Sequence, residues 1–255
     1  MSQAPGNGST KSPQSQVYIR QGFQWDAQEA YLFDIDGTLL RSNDRIHYDS
    51  FTNGIRQIYG QDVTMDGVIF HGSTDPAILR DAFRNAGVAE EVWRPILPEI
   101  CQAMCQTVAA RRHEMKLVMM PGIEEVLHYL DGKGAFLGVG TGNLETIGWL
   151  KIEHLGLRRW FRFGGFSDSF DVRAEMIAHA AEKARNIAGP NATVCVVGDT
   201  PADITAARAN SLPAIAVATG HFSVDDLMKY DPEVCCTNLA ALLEETVRGH
   251  ETRSE

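Results

Sequence analysis

The apolar positions of this chain fall into two kinds of run. Tyr31–Asp34, Ala135–Thr141, Phe161–Phe166, Thr193–Asp199 and Ala214–Ala218 are short and nearly continuous, and each closes on a polar or turn-forming group. Continuous rather than alternating hydrophobicity predicts strands buried on both faces. Between these runs, Ile123–Leu130, Leu144–Leu155, Ala174–Ile187 and Asp203–Asn210 carry apolar residues at helical spacing. Strand and helix alternate from about residue 120 onward, the pattern of an α/β protein with a Rossmann-like, doubly wound parallel sheet.

The first strand breaks that alternation. A polar, helical-looking segment far longer than an ordinary βα connection follows it, with amphipathic patterns at Tyr48–Tyr59, Pro76–Ala86 and Glu91–Val108. The expected organisation is a tail and lead-in over residues 1–28, a core domain over 29–41 and 118–255, and an inserted α-helical domain over 42–117. Residues 1 to about 16, almost all Ser, Gln, Gly, Pro, Asn and Thr, are predicted to be disordered because they bury too little apolar surface to offset ordering entropy.

Composition narrows the partners. With 33 acidic and 23 basic residues the formal charge is -10, which repels nucleic acid and anionic membranes and predicts neither as a partner. The five cysteines are odd in number and lack a Cys-x-x-Cys spacing, so reduced thiols in a cytoplasmic protein are expected. Cys101 and Cys105, at i and i+4, read as buried helix-face thiols rather than a metal pair. No apolar run approaches the ~18 residues of a membrane span, and the N-terminus has no signal-peptide core. Heptads and repeats are absent, so the pattern carries no oligomerisation signal.

Candidate chemistry sits at the ends of the strand-like runs, where open parallel sheets place their ligands. "YLFDIDGTLL" ends a buried run on Asp34, with Asp36 one residue beyond and Gly37 permitting a turn. A turn with an Asx cap explains the pair as well as a site does. "TVCVVGDTPADI" ends a second buried run on Asp199, with Asp203 four residues on. Helix capping accounts for Asp203 but not for Asp199. Carboxylates from two strand ends in one crevice would repel unless a hard dication such as Mg²⁺ were bound. A third strand end, "GVGTGN", supplies the Thr141 hydroxyl, backbone amides at Gly142 and Asn143 as a cap, a combination suited to phosphate. It lacks the third glycine of a dinucleotide fingerprint.

Together "FDIDGTLL", "GTGN" and "VVGDTPADI" resemble the motifs of the haloacid dehalogenase superfamily, in its phosphoglycolate phosphatase-like branch, over Tyr31 to about Leu243. The resemblance implies that Asp34 is a nucleophile forming an aspartyl-phosphate, that Asp36 is the acid and base, and that Thr141 binds phosphate. It implies a magnesium site of Asp34, Asp199, the Asp36 backbone carbonyl and Asp203 as ligand or neighbour. It also makes the insert a cap that closes over a small phosphorylated metabolite. The family's lysine before a helix is replaced by Arg173, so the phosphate-neutralising cation is Arg173 or Lys151. "FHGSTDPAIL" is similar to the cap segment that reaches the substrate, and Thr74 and Asp75 there serve either substrate binding or an N-cap before Pro76. His71 and His221 read as structural histidines. The expected activity is hydrolysis of a phosphomonoester; a sugar-phosphate mutase of the same fold and a silent phosphate-binding module are the alternatives.

Overall fold

The computed structural model describes residues 16–251. The chain opens with β1 (Val17–Ile19) and β2 (Ala30–Phe33), and β3 (Leu40–Ser42) leads into four helices: α1 (Ile46–Tyr59), α2 (Asp75–Asn85), α3 (Glu90–Trp93) and α4 (Leu97–Ala110). It returns through β4 (Leu117–Met119) to α5 (Ile123–Gly132), β5 (Phe136–Gly140), α6 (Glu145–His154), β6 (Phe163–Gly165) and α7 (Arg173–Ala188). The remainder is β7 (Val194–Gly198), α8 (Pro201–Ala209), β8 (Ala214–Val217), α9 (Val224–Met228), β9 (Val234–Cys236) and α10 (Leu239–Glu251).

Among the described residues, seven strands form one sheet in the order β1-β9-β8-β7-β2-β5-β6. All neighbours run parallel except β1, which pairs antiparallel with β9. The four residues of β2 are fully buried, as the continuous apolar run requires of a central strand covered on both faces. On one face Tyr31 and Phe33 join Leu127, Leu137, Val139 and Val197. On the other, Leu32 joins Met176, Ile177 and Val196.

Helices α1 to α4 enclose a third apolar cluster, including Phe51, Ile55, Leu79, Phe83, Trp93 and Met104. Gly54 lets α1 approach α4, since a Cβ there would lie 3.1 Å from the Ile100 carbonyl oxygen. The cluster also takes in Leu144 and Ile147 at the start of α6, so these helices pack on the end of the sheet that carries the strand-end acids. The chain enters and leaves them through a two-stranded ribbon in which Leu40 pairs with Met119 and Ser42 with Leu117.

Two expectations need correction. Residues 17–28 are not a mere lead-in: Val17–Ile19 completes one sheet edge, and Trp25 is buried with its indole N–H donating to Thr246. Residues 1–15 of the predicted tail lie outside the described residues. The single helix expected over Glu91–Val108 is α3, a 3₁₀ turn at Arg94–Ile96, and α4. Pro95 and Pro98, which cannot donate a backbone hydrogen bond, fall at the restarts.

Candidate active site

The parallel register brings the strand ends together. Phe33 lies level with Val139 of β5 and Val197 of β7, so Asp34, Thr141 and Asp199 emerge side by side just past three adjacent strands. All three are buried. Asp203 joins them from the first turn of α8, where it forms a reciprocal capping box with Thr200. One carboxylate oxygen each from Asp34, Asp199 and Asp203 lies within 4.8 Å of the others, a spacing that a single hard cation fits.

The electrostatics match a site built around such a cation. Burial, with repulsion from Asp203 and Asp36, outweighs the attraction of Arg173 and raises the Asp34 carboxyl to about 6. Burial together with Asp34 and Asp203 raises Asp199 to about 8, although Thr38 donates to its Oδ1 at 3.0 Å. Gly37 and Gly220 press so closely on Asp199 that a Cβ at either would overlap its carboxylate. Both glycines therefore keep the acid boxed in.

Arg173 and Lys151 serve different carboxylates. The Arg173 guanidinium Nη2 lies 3.0 Å from Asp34 Oδ1 and also bonds Asp203 Oδ1. Its buried Nε has no acceptor among the described residues. The Lys151 ammonium donates to Asp36 Oδ2 at 2.6 Å and to Asn143 Oδ1 at 2.8 Å. Asn143 in turn donates to Asp36 Oδ2 and Thr141 Oγ1, both at 2.8 Å. Burial acts to raise Asp36, but the Lys151 charge and these hydrogen bonds more than offset it and hold the carboxyl below its usual value.

Residues 31–217 match the family model described as haloacid dehalogenase-like hydrolase. The chain belongs to the haloacid dehalogenase-like hydrolases. It is 33% identical over 122 residues to a protein named phosphoglycolate phosphatase from Agrobacterium fabrum, covering 48% of this chain and 52% of that one. The chain thus spans about half the length of this relative. A protein of the same name from Xanthomonas campestris is 30% identical over 205 residues, covering 77% of this chain and 86% of the relative. Among solved structures, a hydrolase from Pseudomonas syringae superposes with a TM-score of 0.64 at 17% identity, covering 87% of this chain and 99% of its own.

In this haloacid dehalogenase-like hydrolase, Asp34, Asp36, Thr141, Gly142, Asn143, Lys151, Arg173, Asp199 and Asp75 line one cavity of about 230 Å³. Asp203 stands behind it, and the Asp203 oxygens are taken by Arg173 and Thr200. Thr74 is fully engaged elsewhere: its hydroxyl caps α2 by accepting from Ala77 N and donates to the Asp171 carbonyl. Asp75 ties the helical insert to the core, its Oδ2 accepting from Leu144 N at 2.9 Å while its own N–H donates to the Gly142 carbonyl at 2.8 Å. Gly142 has to be glycine for this seating, because a Cβ would overlap the Ser73 carbonyl.

Sequence reasoning missed His47. Its Nδ1 lies 3.0 Å from the Lys151 ammonium and its Nε2 3.1 Å from Asp75 Oδ2. An ammonium only donates, so Nδ1 accepts and the proton sits on Nε2, facing Asp75. A histidine in the first turn of an amphipathic helix gives no hint of this from spacing alone. His71 and His221 stack on each other, ring centroids 4.6 Å apart, and His71 also lines the cavity.

Proposed function

We propose that this chain is a Mg²⁺-dependent phosphatase that hydrolyses a small phosphomonoester through an aspartyl-phosphate on Asp34. The observation that carries the reading is the division of two carboxylates, one residue apart, between two charge environments. Asp34 is raised within an acid cluster that needs a cation, and Asp36 is held down by Lys151. Groups so separated take different roles.

Asp34 and Asp199, with Asp203 behind them, would hold Mg²⁺, which would supply positive charge against the phosphoryl oxygens and relieve the repulsion among the carboxylates. Arg173, whose Nη2 contacts Asp34 and whose Nε is unmatched, neutralises the incoming phosphoryl group. Thr141 and the amides of the following turn orient it. An Asp34 oxygen attacks phosphorus, the bond to the leaving oxygen breaks, and the Asp36 carboxyl passes its proton to that oxygen. Asp36, now a carboxylate, takes a proton from water, whose oxygen attacks phosphorus, frees Asp34 and yields inorganic phosphate.

Lys151 holds Asp36 ionised through the 2.6 Å contact. A phosphoryl group seated beside Thr141 competes for that ammonium, and loosening the contact raises Asp36 toward the protonated form the leaving group requires. The buried and half-buried free thiols support a reducing, cytoplasmic setting.

The test is phosphate release from a panel of phosphomonoesters with Mg²⁺ and no bisphosphate activator. Release that depends on Mg²⁺ and drops at least roughly a thousandfold in Asp34→Asn is expected. Absence of turnover across the panel, or transfer only when a bisphosphate is added, rejects the reading.

A further inference from the structure

The wall facing the catalytic floor identifies the kind of alcohol that leaves, an inference that rests on the phosphatase reading. Asp34, Asp36, Thr141 and Asp199 occupy the floor, so the leaving group lies against the part of the cavity contributed by the helical insert. Tyr48 and Phe51 from α1, Phe70, and Ile78 from α2 supply that wall. Tyr48 and Phe70 meet at 5.0 Å between ring centroids, and Phe51 meets Phe70 edge-on at 5.7 Å. Tyr48, partly open to solvent, and Phe70 form an aromatic surface backed by the buried Phe51.

Charge on this wall is of one sign. Asp44 and Asp75 line it; Asp44 accepts from the backbone N–H groups of Ile46 and Lys116, and Arg111, which attracts it, stands outside the lining. The lysine and arginine that line the cavity, Lys151 and Arg173, are both engaged by floor carboxylates. His47 is engaged on both ring nitrogens, Nδ1 by Lys151 and Nε2 by Asp75. His71 is pushed below its ordinary range by burial and by His221. Arg45 lies over the Tyr48 ring and pairs with Asp49, outside the lining. A second anion on the substrate would therefore meet aromatic carbon and carboxylates.

We propose that the leaving group is a small uncharged alcohol with an apolar face that packs on Tyr48 and Phe70, and that a carboxylate-bearing alcohol such as glycolate is disfavoured. The cavity of about 230 Å³ lies below the roughly 300–1,000 Å³ of drug-sized sites, which limits that alcohol to about one ring. The charge term and the stacking term point the same way.

Three esters of primary alcohols separate these terms without a large change in leaving-group chemistry: benzyl phosphate, ethyl phosphate and 2-phosphoglycolate. With the Mg²⁺-loaded full chain, kcat/KM is expected to fall in that order, with benzyl phosphate at least about tenfold above 2-phosphoglycolate. Tyr48→Ala and Phe70→Ala should each shrink the benzyl-to-ethyl ratio by about tenfold. Calorimetric binding of the same esters to Asp34→Asn must show the same order whether or not turnover occurs. Equal or better use and binding of 2-phosphoglycolate overturns the inference. The expected binding order without turnover of any ester upholds the wall's preference for an uncharged apolar alkyl or aryl group and rejects the phosphatase reading instead.

Discussion

Replacing Asp199 with Asn should make the metal-free protein more stable in alkaline solution while abolishing its response to Mg²⁺. The acid cluster supplies the magnitude. With ligand atoms within 4.8 Å, each carboxylate pair costs about 3 kcal/mol at an effective dielectric near 20. Arg173 contacts Asp34 and Asp203, leaving Asp199 with two repulsive neighbours and the Thr38 hydroxyl. A rise from the ordinary 3.8 to about 8, driven first by burial and then by these two carboxylates, corresponds to about 6 kcal/mol. Because the folded value is raised, this group's contribution to stability is complete below about pH 4 and lost as pH climbs through about 8. An asparagine carries no charge at any of these pH values, retains an oxygen for the Thr38 hydroxyl, and fits between Gly37 and Gly220 as the aspartate does. Thermal melts in chelator should therefore diverge with pH, the variant melting roughly 5–15 °C above the parent near pH 9 and converging with it toward about pH 4. Added Mg²⁺ should raise the parent and leave the variant unchanged. A variant that melts at or below the parent near pH 9, in chelator, would refute the repulsive-cluster account.

Gly142→Ala should lower kcat/KM by about tenfold or more with the core fold intact by circular dichroism, since its Cβ displaces the Ser73 carbonyl and unseats the helical insert. Lys151→Met should reduce kcat by about a hundredfold and move the alkaline limb of the pH–rate profile upward, because Asp36, which must be protonated to donate to the leaving group, loses the charge that holds it down; an unmoved limb would remove Lys151 from this role. Thr74→Ala should cost about 1 kcal/mol of stability in denaturant unfolding through the lost α2 cap while leaving KM within about twofold. His47→Leu should lower kcat with little change in melting temperature, and recovery of kcat in His47→Gln would identify the contact with Lys151 as the part that matters.

The acids of the floor were legible because a buried apolar run that ends on a carboxylate has few structural uses, and two such ends, Asp34 and Asp199, fall on adjacent strands. Lys151 and Arg173, alternatives on sequence grounds, pair with different carboxylates in the fold, Lys151 with Asp36 and Arg173 with Asp34 and Asp203. Asp75 and His47 were opaque for a different reason. Their partners, Leu144 and Lys151, lie on a core helix far away in sequence, and neither a cap position nor an amphipathic helix encodes a contact across two layers. The edge strand Val17–Ile19 and its neighbour Val234–Cys236 escaped because they have three residues each, too few for a period to show. The broken helix before α4 was readable from Pro95 and Pro98, whose missing donors outweigh the apolar spacing around them.

The place of β2 in the sheet bears on how the molecule comes into being. Ala30 hydrogen-bonds in register with Phe136 on one side and Val194 on the other, so the strand that carries Asp34 leaves the ribosome long before either neighbour exists. During synthesis the helical insert, built on local contacts, can condense while the central strand waits for partners of high sequence separation. No partly made chain then presents the assembled acid cluster, which exists only once β7 has zipped onto β2. The same delay leaves a bare apolar strand exposed, so chaperone dependence during expression should track β2 rather than the insert.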